Sequence, residues 1–498
     1  MYKKDIKKVL LIMPPATISS EYTKELQPPL GLAYIASCLE NDYNVKIIDA
    51  VAEGWNEEYV QNGLTTYGLS MDELSRKIKE FNPDVIGVSC LFSMQYKNAH
   101  KVCAVAKRIN NEIITIMGGA HPTALPEETL KDNNVDIVLL AESDFTTKEL
   151  LDLIQKGEDI SKIDGIAYKE ENKIIIKPKT KFIDNLDSIP FPARHLLPME
   201  KYFKINLPHG VSSRFSPNTP LITSRGCPAN CIFCSIHSIW GRKYRARSVQ
   251  NIITELKQLK EKYGIKEIQF EDDNLTFDKK RALDLFEAMI REKLNLAWTT
   301  PNGVALWSLD QELLLKMKES GCYRLCLAIE SGDQEFLTKT IKKPLSLEKV
   351  KELMYWIKKY KFETDAFFVV GFPDETLEQL KNTFKFAQNL GTDNVSFYLA
   401  TPYPGTELYE NCCKKGYLNN SFSLERLGVK KTSISPKNFT SEELEKMVAY
   451  YTLKHKLNLS WKNPRAFYDK VIKRFFKTPG YFIKFATNLT RKVIFKRK

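Results

Sequence analysis

The chain has 498 residues, of which 43% are hydrophobic and 27% are charged, and its formal net charge is +13. These proportions are typical of a globular protein with two or three domains, and they exclude a fibrous or largely disordered chain. No apolar run reaches the roughly 18 residues of a membrane span. The apolar run after MYKKDIKK is too short for a secretion signal, so none is predicted. Ten cysteines without such a signal indicate reduced thiols and a cytoplasmic protein.

The first 150 residues alternate short apolar runs with amphipathic stretches. This alternation predicts an α/β domain with a doubly wound, Rossmann-like parallel sheet. The predicted strands are 8–13, 45–49, 85–89, 113–117 and 136–140. The predicted helices are 31–40, 70–81, 96–110 and 126–131. Ligands of such sheets bind at the carboxyl ends of the strands, so the loops there are the candidate binding site.

Residues 151–215 are predicted to connect this domain to the next one. Two short apolar runs, 165–168 and 173–177, predict a small hairpin. The Pro-rich segment 189–194 predicts an extended chain, because a residue before proline is driven away from the helical region.

Three cysteines, Cys227, Cys231 and Cys234, follow one another at C-x3-C-x2-C spacing in a predicted loop. A 4Fe–4S cluster has four irons and is usually held by thiolates. Three cysteines would therefore leave one iron open to a substrate or cofactor. The alternative is a structural zinc site, in which His237 would supply a fourth ligand.

From 216 to about 415 the strand–helix alternation resumes and predicts a partial (β/α)6 barrel of the TIM type. The predicted strands are 221–224, 267–271, 297–301, 324–329, 366–370 and 394–400. Chemistry in parallel βα barrels occurs at the carboxyl ends of the strands. Three adjacent acids, 271–273, close the second strand, and burying them is costly unless they meet cations or hydrogen-bond donors.

Residues 416–498 are predicted to be a helical carboxyl-terminal region, with a helix over 440–460 and a basic tail. Residues 462–498 hold twelve Lys or Arg and one acid, a net +11 of the total +13. Apolar residues at helical spacing lie between these charges, which is typical of a helix lying on an anionic membrane surface. The alternative is that this apolar face packs on the barrel; nucleic-acid binding is not expected.

The cysteine motif with Phe233 before its last cysteine, and the Gly-Gly-x-His-Pro loop at 118–122, resemble the cobalamin-binding-domain radical S-adenosylmethionine (SAM) enzymes. This family includes the class B radical SAM methyltransferases. The resemblance implies three cofactors: a 4Fe–4S cluster, SAM and cobalamin. It implies that Cys227, Cys231 and Cys234 hold the cluster, and it identifies no catalytic residue among the acids and bases.

The resemblance also carries over individual binding residues. The residues implied to contact SAM are Phe233, Asp272, Asp273, Glu330, Ser331 and Gly371. The residues implied to contact cobalamin are Pro15, Ser89, Gly118, Gly119 and His121. No histidine stands in the D-x-H-x-x-G pattern that ligates cobalt from below, so His121 is interpreted as a loop residue. A second departure is the segment 141–144, where relatives often alternate glycines with acids.

The reaction implied by the resemblance transfers a methyl group from SAM through cobalamin to an unactivated carbon. A second SAM, cleaved by one electron from the cluster, supplies the radical that removes hydrogen from that carbon. Two alternatives stay open. One is a cyclisation or rearrangement without methyl transfer, and the other is a cobalamin-binding sensor without catalysis.

The implied partners are a small-molecule or lipid-like substrate and a reducing electron donor such as flavodoxin or ferredoxin. The tail 462–498 adds an anionic membrane surface as a candidate partner. The expected location is therefore the cytoplasm, with attachment at the inner face of the membrane if the tail binds lipid.

Overall fold

The structure is a computed structural model that describes residues 4–171, 173–209, 213–428 and 430–462. The basic tail, on which the membrane hypothesis depends, lies outside the described residues. Within the described ranges, no helix combines the length and apolar character needed to cross a membrane.

Ten strands are described in the first 177 residues. They are β1 (Lys8–Met13), β2 (Ala16–Ser19), β3 (Asn44–Asp49), β4 (Glu58–Gln61), β5 (Leu64–Tyr67), β6 (Val85–Ser89), β7 (Ile114–Gly118), β8 (Ile137–Leu139), β9 (Ile166–Glu170) and β10 (Lys173–Lys177). The helices of this half are α1 (Leu30–Leu39), α2 (Ala50–Glu53), α3 (Met71–Phe81), α4 (Tyr96–Ile109), α5 (Ala120–Ala124), α6 (Pro126–Leu130), α7 (Asp144–Lys156) and α8 (Met199–Ile205).

Seven of these strands form one sheet in the order β10-β9-β8-β7-β6-β1-β3. The five strands from β8 to β3 are parallel, and β9 and β10 run antiparallel at one side. Helices α1 and α7 bury apolar side chains on one face, and α3 and α4 do so on the other. The predicted doubly wound sheet is confirmed, and the hairpin predicted in the connector extends that same sheet.

A second, smaller sheet was not predicted from the sequence. It is antiparallel and has the order β2-β5-β4. Every residue of β4 is exposed, so the segment lacks the apolar alternation by which a half-buried strand is recognised.

The barrel half of the chain holds the remaining eight described strands, six of them in the barrel and two in a separate small sheet. They are β11 (Asn218–Leu221), β12 (Ser224–Arg225), β13 (Arg245–Ala246), β14 (Glu267–Phe270), β15 (Ala297–Val304), β16 (Cys322–Glu330), β17 (Glu363–Val370) and β18 (Asn394–Leu399). Its helices are α9 (Ile236–Trp240), α10 (Val249–Tyr263), α11 (Lys279–Arg291), α12 (Gln311–Glu319), α13 (Leu347–Lys359), α14 (Leu377–Leu390), α15 (Glu407–Lys415) and α16 (Ser441–Lys462).

Six parallel strands form the open barrel in the sequential order β11-β14-β15-β16-β17-β18. This order confirms the predicted partial barrel. The core under its helices includes an aromatic cluster, in which Trp298 packs between Phe270 and Phe286 at ring-centroid distances of 5.2 and 5.0 Å. The first barrel strand ends at Leu221, three residues before its predicted end, because the chain then turns so that Ser224–Arg225 pairs with Arg245–Ala246.

The last described helix, α16, closes one side of the barrel. Leu444 is fully buried, and the ring of Tyr451 stacks on Phe384 with centroids 4.3 Å apart. The segment before this helix crosses to the amino-terminal half, where the Lys430 backbone donates to the Tyr22 hydroxyl at 3.0 Å. The predicted helix at 440–460 is confirmed, and its apolar face packs on the barrel.

Candidate active site at two facing strand ends

The cysteine loop begins directly after β12. All three motif cysteines are free thiols on one partly buried loop. Gly226, just before it, has φ of +86°, and a Cβ there would lie 2.3 Å from the Lys243 carbonyl oxygen, so only glycine fits. The Asn274 amide donates to the Cys227 sulfur at 3.7 Å. Within the described ranges, no three His, Cys or acidic side chains are drawn together at metal-ligand spacing.

Burial raises the pKa of the Cys231 thiol to about 11 and that of the Cys234 thiol to about 12. The ammonium of Lys343 acts in the opposite direction on Cys231. A cluster binds thiolates, so the nearby positive charge favours the form that ligation needs.

Asp272, at the end of the second barrel strand, forms hydrogen bonds with other residues of the protein. It is almost fully buried, and it accepts hydrogen bonds from the Thr223 backbone, the Thr223 hydroxyl and the Ser224 hydroxyl. Burial raises its pKa, and the Arg281 charge opposes that rise. Asp272 therefore anchors the turn that leads into the cysteine loop.

The neighbouring acid, Asp273, is placed differently. Burial, followed by the charges of Asp272 and Glu271, raises the pKa of its carboxyl to about 7. Its charge is felt by the Cys234 thiol, which places Asp273 beside the cysteine loop. An acid of this kind gains free energy when a cation approaches, because the cation offsets the repulsion from its neighbours.

Glu271, the first acid of the three, binds residues from two other segments. It accepts from the Asn302 amide at 3.0 Å, and its carboxylate lies 3.1 Å from the His209 ring nitrogen Nδ1. Burial would lower the pKa of His209, but the hydrogen bond and charge of Glu271 raise it to about 9. This region of the barrel thus holds an imidazolium paired with a carboxylate.

Glu330 ends the fourth barrel strand in the left-handed region, with φ of +70°. Its carboxylate accepts from the Lys343 ammonium at 2.8 Å, and both side chains are more than 90% buried. Ser331, the next residue, is turned into the protein, where its hydroxyl lies 3.1 Å from that of Thr383. The pair of Glu330 and Lys343 faces the cysteines, whereas Ser331 holds the loop on α14.

Lys343 was missed from the sequence. It lies between the fourth strand and α13, and its charge acts on Cys231 and on Cys234. The signal available was the adjacent pair Lys342 and Lys343 before Pro344, which looks like an ordinary solvated turn.

Gly371 follows the fifth strand with φ of +87°. Its backbone N–H donates at 2.6 Å to the buried carboxylate of Glu375, whose pKa burial raises to about 8. Phe372 follows, with its ring 6.3 Å from that of Phe233 in the cysteine loop. The backbone at Gly371 thus lies close to the cysteine loop, as a flat ligand packed there would require.

The carboxyl ends of the parallel strands in the amino-terminal sheet, with the loops that follow them, form a surface that we call the sheet edge. Gly119 has φ of +115°, and a Cβ there would lie 2.6 Å from the Cys90 carbonyl oxygen. His121 is 3% exposed and lies 3.1 Å from the Ser93 hydroxyl. Burial, with the charge of His100, lowers the pKa of His121 to about 4. His121 is therefore a neutral, buried side chain of the loop.

The other predicted residues of the sheet edge lie on neighbouring strands. Ser89 and Gly118 are paired across β6 and β7. The Pro15 carbonyl follows β1 and accepts from the Asn98 amide at 2.8 Å. All of these residues belong to one contiguous edge, as the parallel strands predict.

The corresponding ends of the barrel strands, together with the cysteine loop, form a surface that we call the barrel mouth. It meets the sheet edge. A Cβ on Gly405, in the loop after β18, would lie 3.0 Å from the Ala124 Cβ of α5 and 3.4 Å from the Ser238 hydroxyl of α9. One loop therefore contacts both the helix after Gly119 and the helix after Cys234.

Comparison with known proteins identifies the families of both halves of the chain. Residues 221–387 match the Radical SAM superfamily, and residues 21–151 match the B12 binding domain. The cytidylyl-2-hydroxyethylphosphonate methyltransferase of Streptomyces wedmorensis is 37% identical over 479 residues, with 89% of each chain covered. The chain belongs to the cobalamin-dependent radical SAM enzymes.

Two solved structures of this family share the fold. The cobalamin-dependent radical SAM enzyme OxsB, with aqua-cobalamin and SAM bound, has a TM-score of 0.71 at 16% identity and covers 98% of this chain and 72% of its own. The methyltransferase TsrM from Kitasatospora setae, with cobalamin and a 4Fe–4S cluster bound, has a TM-score of 0.66 at 15% identity, with coverages of 82% and 75%.

The cofactors of this radical SAM enzyme are a 4Fe–4S cluster, SAM and cobalamin. The side chains present fit them. Three free thiols share one loop for the cluster, and the acids of the barrel mouth suit a SAM ammonium group. The sheet edge offers a glycine backbone and the exposed apolar side chains of Leu91 and Phe92 to a large, flat ring.

Proposed function

We propose that this enzyme transfers a methyl group from SAM, by way of cobalamin, to an unactivated carbon of a small-molecule or lipid-type substrate. The observation that carries this proposal is the close approach of Gly405 to both Ala124 and Ser238, because it places the loop after β18 beside both proposed cofactor surfaces. In this reaction the substrate would lose its hydrogen at the SAM site and receive the methyl group from cobalamin, so it must reach both cofactors without leaving. The similarity to a phosphonate methyltransferase supports the same reaction class.

The proposed cluster ligands are Cys227, Cys231 and Cys234. For SAM we propose that Asp273 meets the ammonium group, that Glu330 with Lys343 binds polar groups of the cofactor, and that Phe233 and Gly371 bound the adenine. Asp272 and Ser331 are proposed to support these residues through the turn at Thr223 and the contact with Thr383. Pro15, Ser89, Gly118, Gly119 and His121 are proposed to line the cobalamin site.

The division of the chain is proposed to follow these surfaces. Residues 1–150 form the core of the cobalamin domain, 151–215 connect it to the barrel, 216–415 form the radical SAM core, and 416–498 form the helical carboxyl-terminal region. The hairpin β9–β10 lies in the connector range yet belongs to the first sheet.

The reaction balances with two SAM molecules and two electrons. One SAM loses its methyl group and becomes S-adenosylhomocysteine. The other gives methionine and 5′-deoxyadenosine, which carries the hydrogen removed from the substrate. The two electrons must come from outside the chain, and we propose a flavodoxin or ferredoxin as the donor. The cofactors supply this chemistry when bound, and the protein binds and orients them and excludes water.

The decisive experiment is anaerobic reconstitution with iron, sulfide and hydroxocobalamin, followed by turnover with SAM labelled in its methyl group. The proposal predicts about four irons and one cobalt per chain, and equal amounts of S-adenosylhomocysteine, 5′-deoxyadenosine and labelled product. Formation of 5′-deoxyadenosine with no methyl transfer to a consumed substrate would instead favour the cyclisation or rearrangement alternative. Cobalt binding without cleavage of any SAM would favour the sensor.

Membrane binding by the basic tail bears on whether the substrate is a lipid. We propose that residues 462–498 bind an anionic membrane surface, which would bring the enzyme to a lipid-type substrate. Each Lys or Arg near such a surface contributes roughly 1 kcal/mol. The full chain should sediment with vesicles containing phosphatidylserine, and a chain truncated after Lys462 should not. Equal sedimentation of both proteins would remove the tail as the reason to search among lipids.

A further inference from the structure

Two loops from the two cofactor surfaces are joined by a buried network of charges. Glu142 lies in the loop between β8 and α7, Asp144 is the first residue of α7, and Arg225 lies two residues before Cys227. Arg225 donates to both oxygens of Asp144, at 2.7 and 2.9 Å, and to Glu142 at 2.6 Å. Arg245, paired with Arg225 across β12 and β13, donates to Glu142 at 2.8 Å. We call these four residues the loop clamp.

The loop clamp is balanced in charge and closed to solvent. Its two acids and two arginines are each between 2 and 5% exposed. The remaining bonds tie it to the backbone: the Ile183 N–H donates to Glu142 at 2.7 Å, and Arg245 donates to the Ile183 and Trp240 carbonyls. The Arg225 guanidinium also lies over the Trp240 ring at 4.5 Å. Both loops are thereby fixed in direction as well as in distance.

Stability is a weak explanation for such a network. Removing charges from water costs about as much free energy as their attraction returns, and apolar replacements of buried ion pairs are often as stable. What a buried, bidentate pair provides is a single geometry, because the planar guanidinium fits a carboxylate in one orientation. Ala141, next to the clamp, has φ of +57°, so the loop accepts a strained backbone to present these acids.

The loop clamp lies between the barrel mouth and the sheet edge. On one side it lies two residues from a cysteine of the barrel mouth. On the other it follows β8, whose neighbour β7 ends at Gly118 in the sheet edge. We propose that the loop clamp is a positioning device, which holds the cysteine loop at a fixed separation from the cobalamin surface. This inference rests on the proposed function, because its consequence is that SAM cleavage stays coupled to methyl transfer.

The test compares Asp144→Asn with Arg225→Lys, which keeps the positive charge but loses the bidentate geometry. Asp184→Asn is the matched control, since Asp184 pairs with Lys243 near the same loop but both side chains are about three-quarters exposed. Each protein is reconstituted, and iron, cobalt, 5′-deoxyadenosine and methylated product are measured. The distance between reduced cluster and cob(II)alamin is then measured by pulsed electron paramagnetic resonance.

The expected result is a change in coupling with the cofactors retained. Both clamp variants should bind iron and cobalt as the wild type does and cleave SAM within about twofold, whereas methylated product per 5′-deoxyadenosine should fall about tenfold or more, because small misplacements of reacting groups are costly. Their cluster-to-cobalt distance distribution should broaden, and that of Asp184→Asn should not.

The outcomes separate this inference from the proposed function. An unchanged ratio and an unchanged distance distribution in both clamp variants would overturn the loop clamp. If the wild type methylates nothing, the proposed function fails, yet the distance distributions still decide the clamp. If Asp144→Asn fails to fold, Arg225→Lys, in which no buried charge is deleted, gives the same comparison.

Discussion

The sheet edge and the barrel mouth face each other, but they differ in charge. Around Gly119 the exposed side chains of the sheet edge are apolar: Leu91 and Phe92 are 44% and 60% exposed, and His121 is buried and neutral. The barrel mouth carries the acids 271–273 and the buried pair of Glu330 and Lys343. Both surfaces are carboxyl ends of parallel strands, so topology alone does not explain the difference.

The difference matches what each surface is proposed to bind. A corrin ring is broad and largely apolar, so a backbone without Cβ atoms and two exposed apolar side chains suit it. SAM is small and carries an ammonium, a carboxylate and a sulfonium, so fixed charges select it. The two surfaces should therefore be separable by mutation, with each cofactor lost independently of the other.

The largest effect should come from breaking the barrel mouth alone. Cys231→Ser removes one of the three proposed cluster ligands, so iron should fall from about four per chain to well below one, and SAM cleavage should be abolished. Cobalt binding should stay near one per chain. Cys413→Ser is the control, because Cys413 is exposed and outside the motif, and its iron content should match the wild type. Iron retained in Cys231→Ser would mean that the cluster is held elsewhere.

The reverse experiment breaks the sheet edge. Gly119→Ala puts a Cβ 2.6 Å from a carbonyl oxygen at φ of +115°, which should cost about 2–4 kcal/mol of local stability and abolish cobalt binding. Iron content should stay unchanged, because the barrel has a separate core. In Gly31→Ala, on the exposed face of α1, the new Cβ meets nothing within 4 Å, so stability should hold or rise slightly. Denaturant unfolding and metal analysis check both; equal effects would refute the steric argument.

Because His121 is neutral in the folded protein, the free energy of unfolding should depend on pH. The pKa of His121 is lowered to about 4 in the folded protein, below the ordinary value of about 6.5. The unfolded chain thus takes up a proton first, and stability contributed by neutral His121 is lost as pH falls below about 6.5. Between pH 7.5 and 5 the cofactor-free wild type should lose about 2 kcal/mol more than His121→Gln, measured by urea unfolding. An identical pH dependence of the two proteins would mean that folding does not lower the pKa of His121.

Most of the fold could be predicted because its signals are local. The strands β1, β6, β7 and β8 bury nearly continuous apolar runs, whereas β17 and β18 alternate buried with half-buried residues. The predicted bounds of the parallel strands lie within a few residues of the observed ones. The small sheet β2-β5-β4 could not be predicted, because an exposed strand such as β4 has no apolar face to mark it. Local patterns likewise do not show that the hairpin β9–β10 joins the first sheet rather than standing alone.

Only those parts of the candidate site that belong to local sequence motifs could be predicted. The three cysteines lie close to one another in the sequence, and so do the three strand-end acids. The partners of Arg225, by contrast, lie more than 80 residues away from it. From the sequence, Arg225 and Arg245 could equally be surface residues or partners of the cluster. Pairing of Lys343 with Glu330 is equally non-local, since it needs a loop that folds back on its own strand. Roles that depend on such contacts come from the tertiary structure.

The smallest expected effect separates two adjacent acids of the barrel mouth. Asp273→Asn should weaken SAM binding about tenfold, because it deletes the carboxylate proposed to meet the ammonium, while leaving the stability of the protein unchanged. Asp272→Asn should do the reverse and lower stability by about 1–3 kcal/mol, since Asp272 accepts the bonds of Thr223 and Ser224. Equilibrium binding of SAM and denaturant unfolding, measured on both reconstituted variants, give the two results. If Asp272→Asn weakened SAM binding and Asp273→Asn did not, Asp272 rather than Asp273 would be the ligand of SAM, in addition to anchoring the turn.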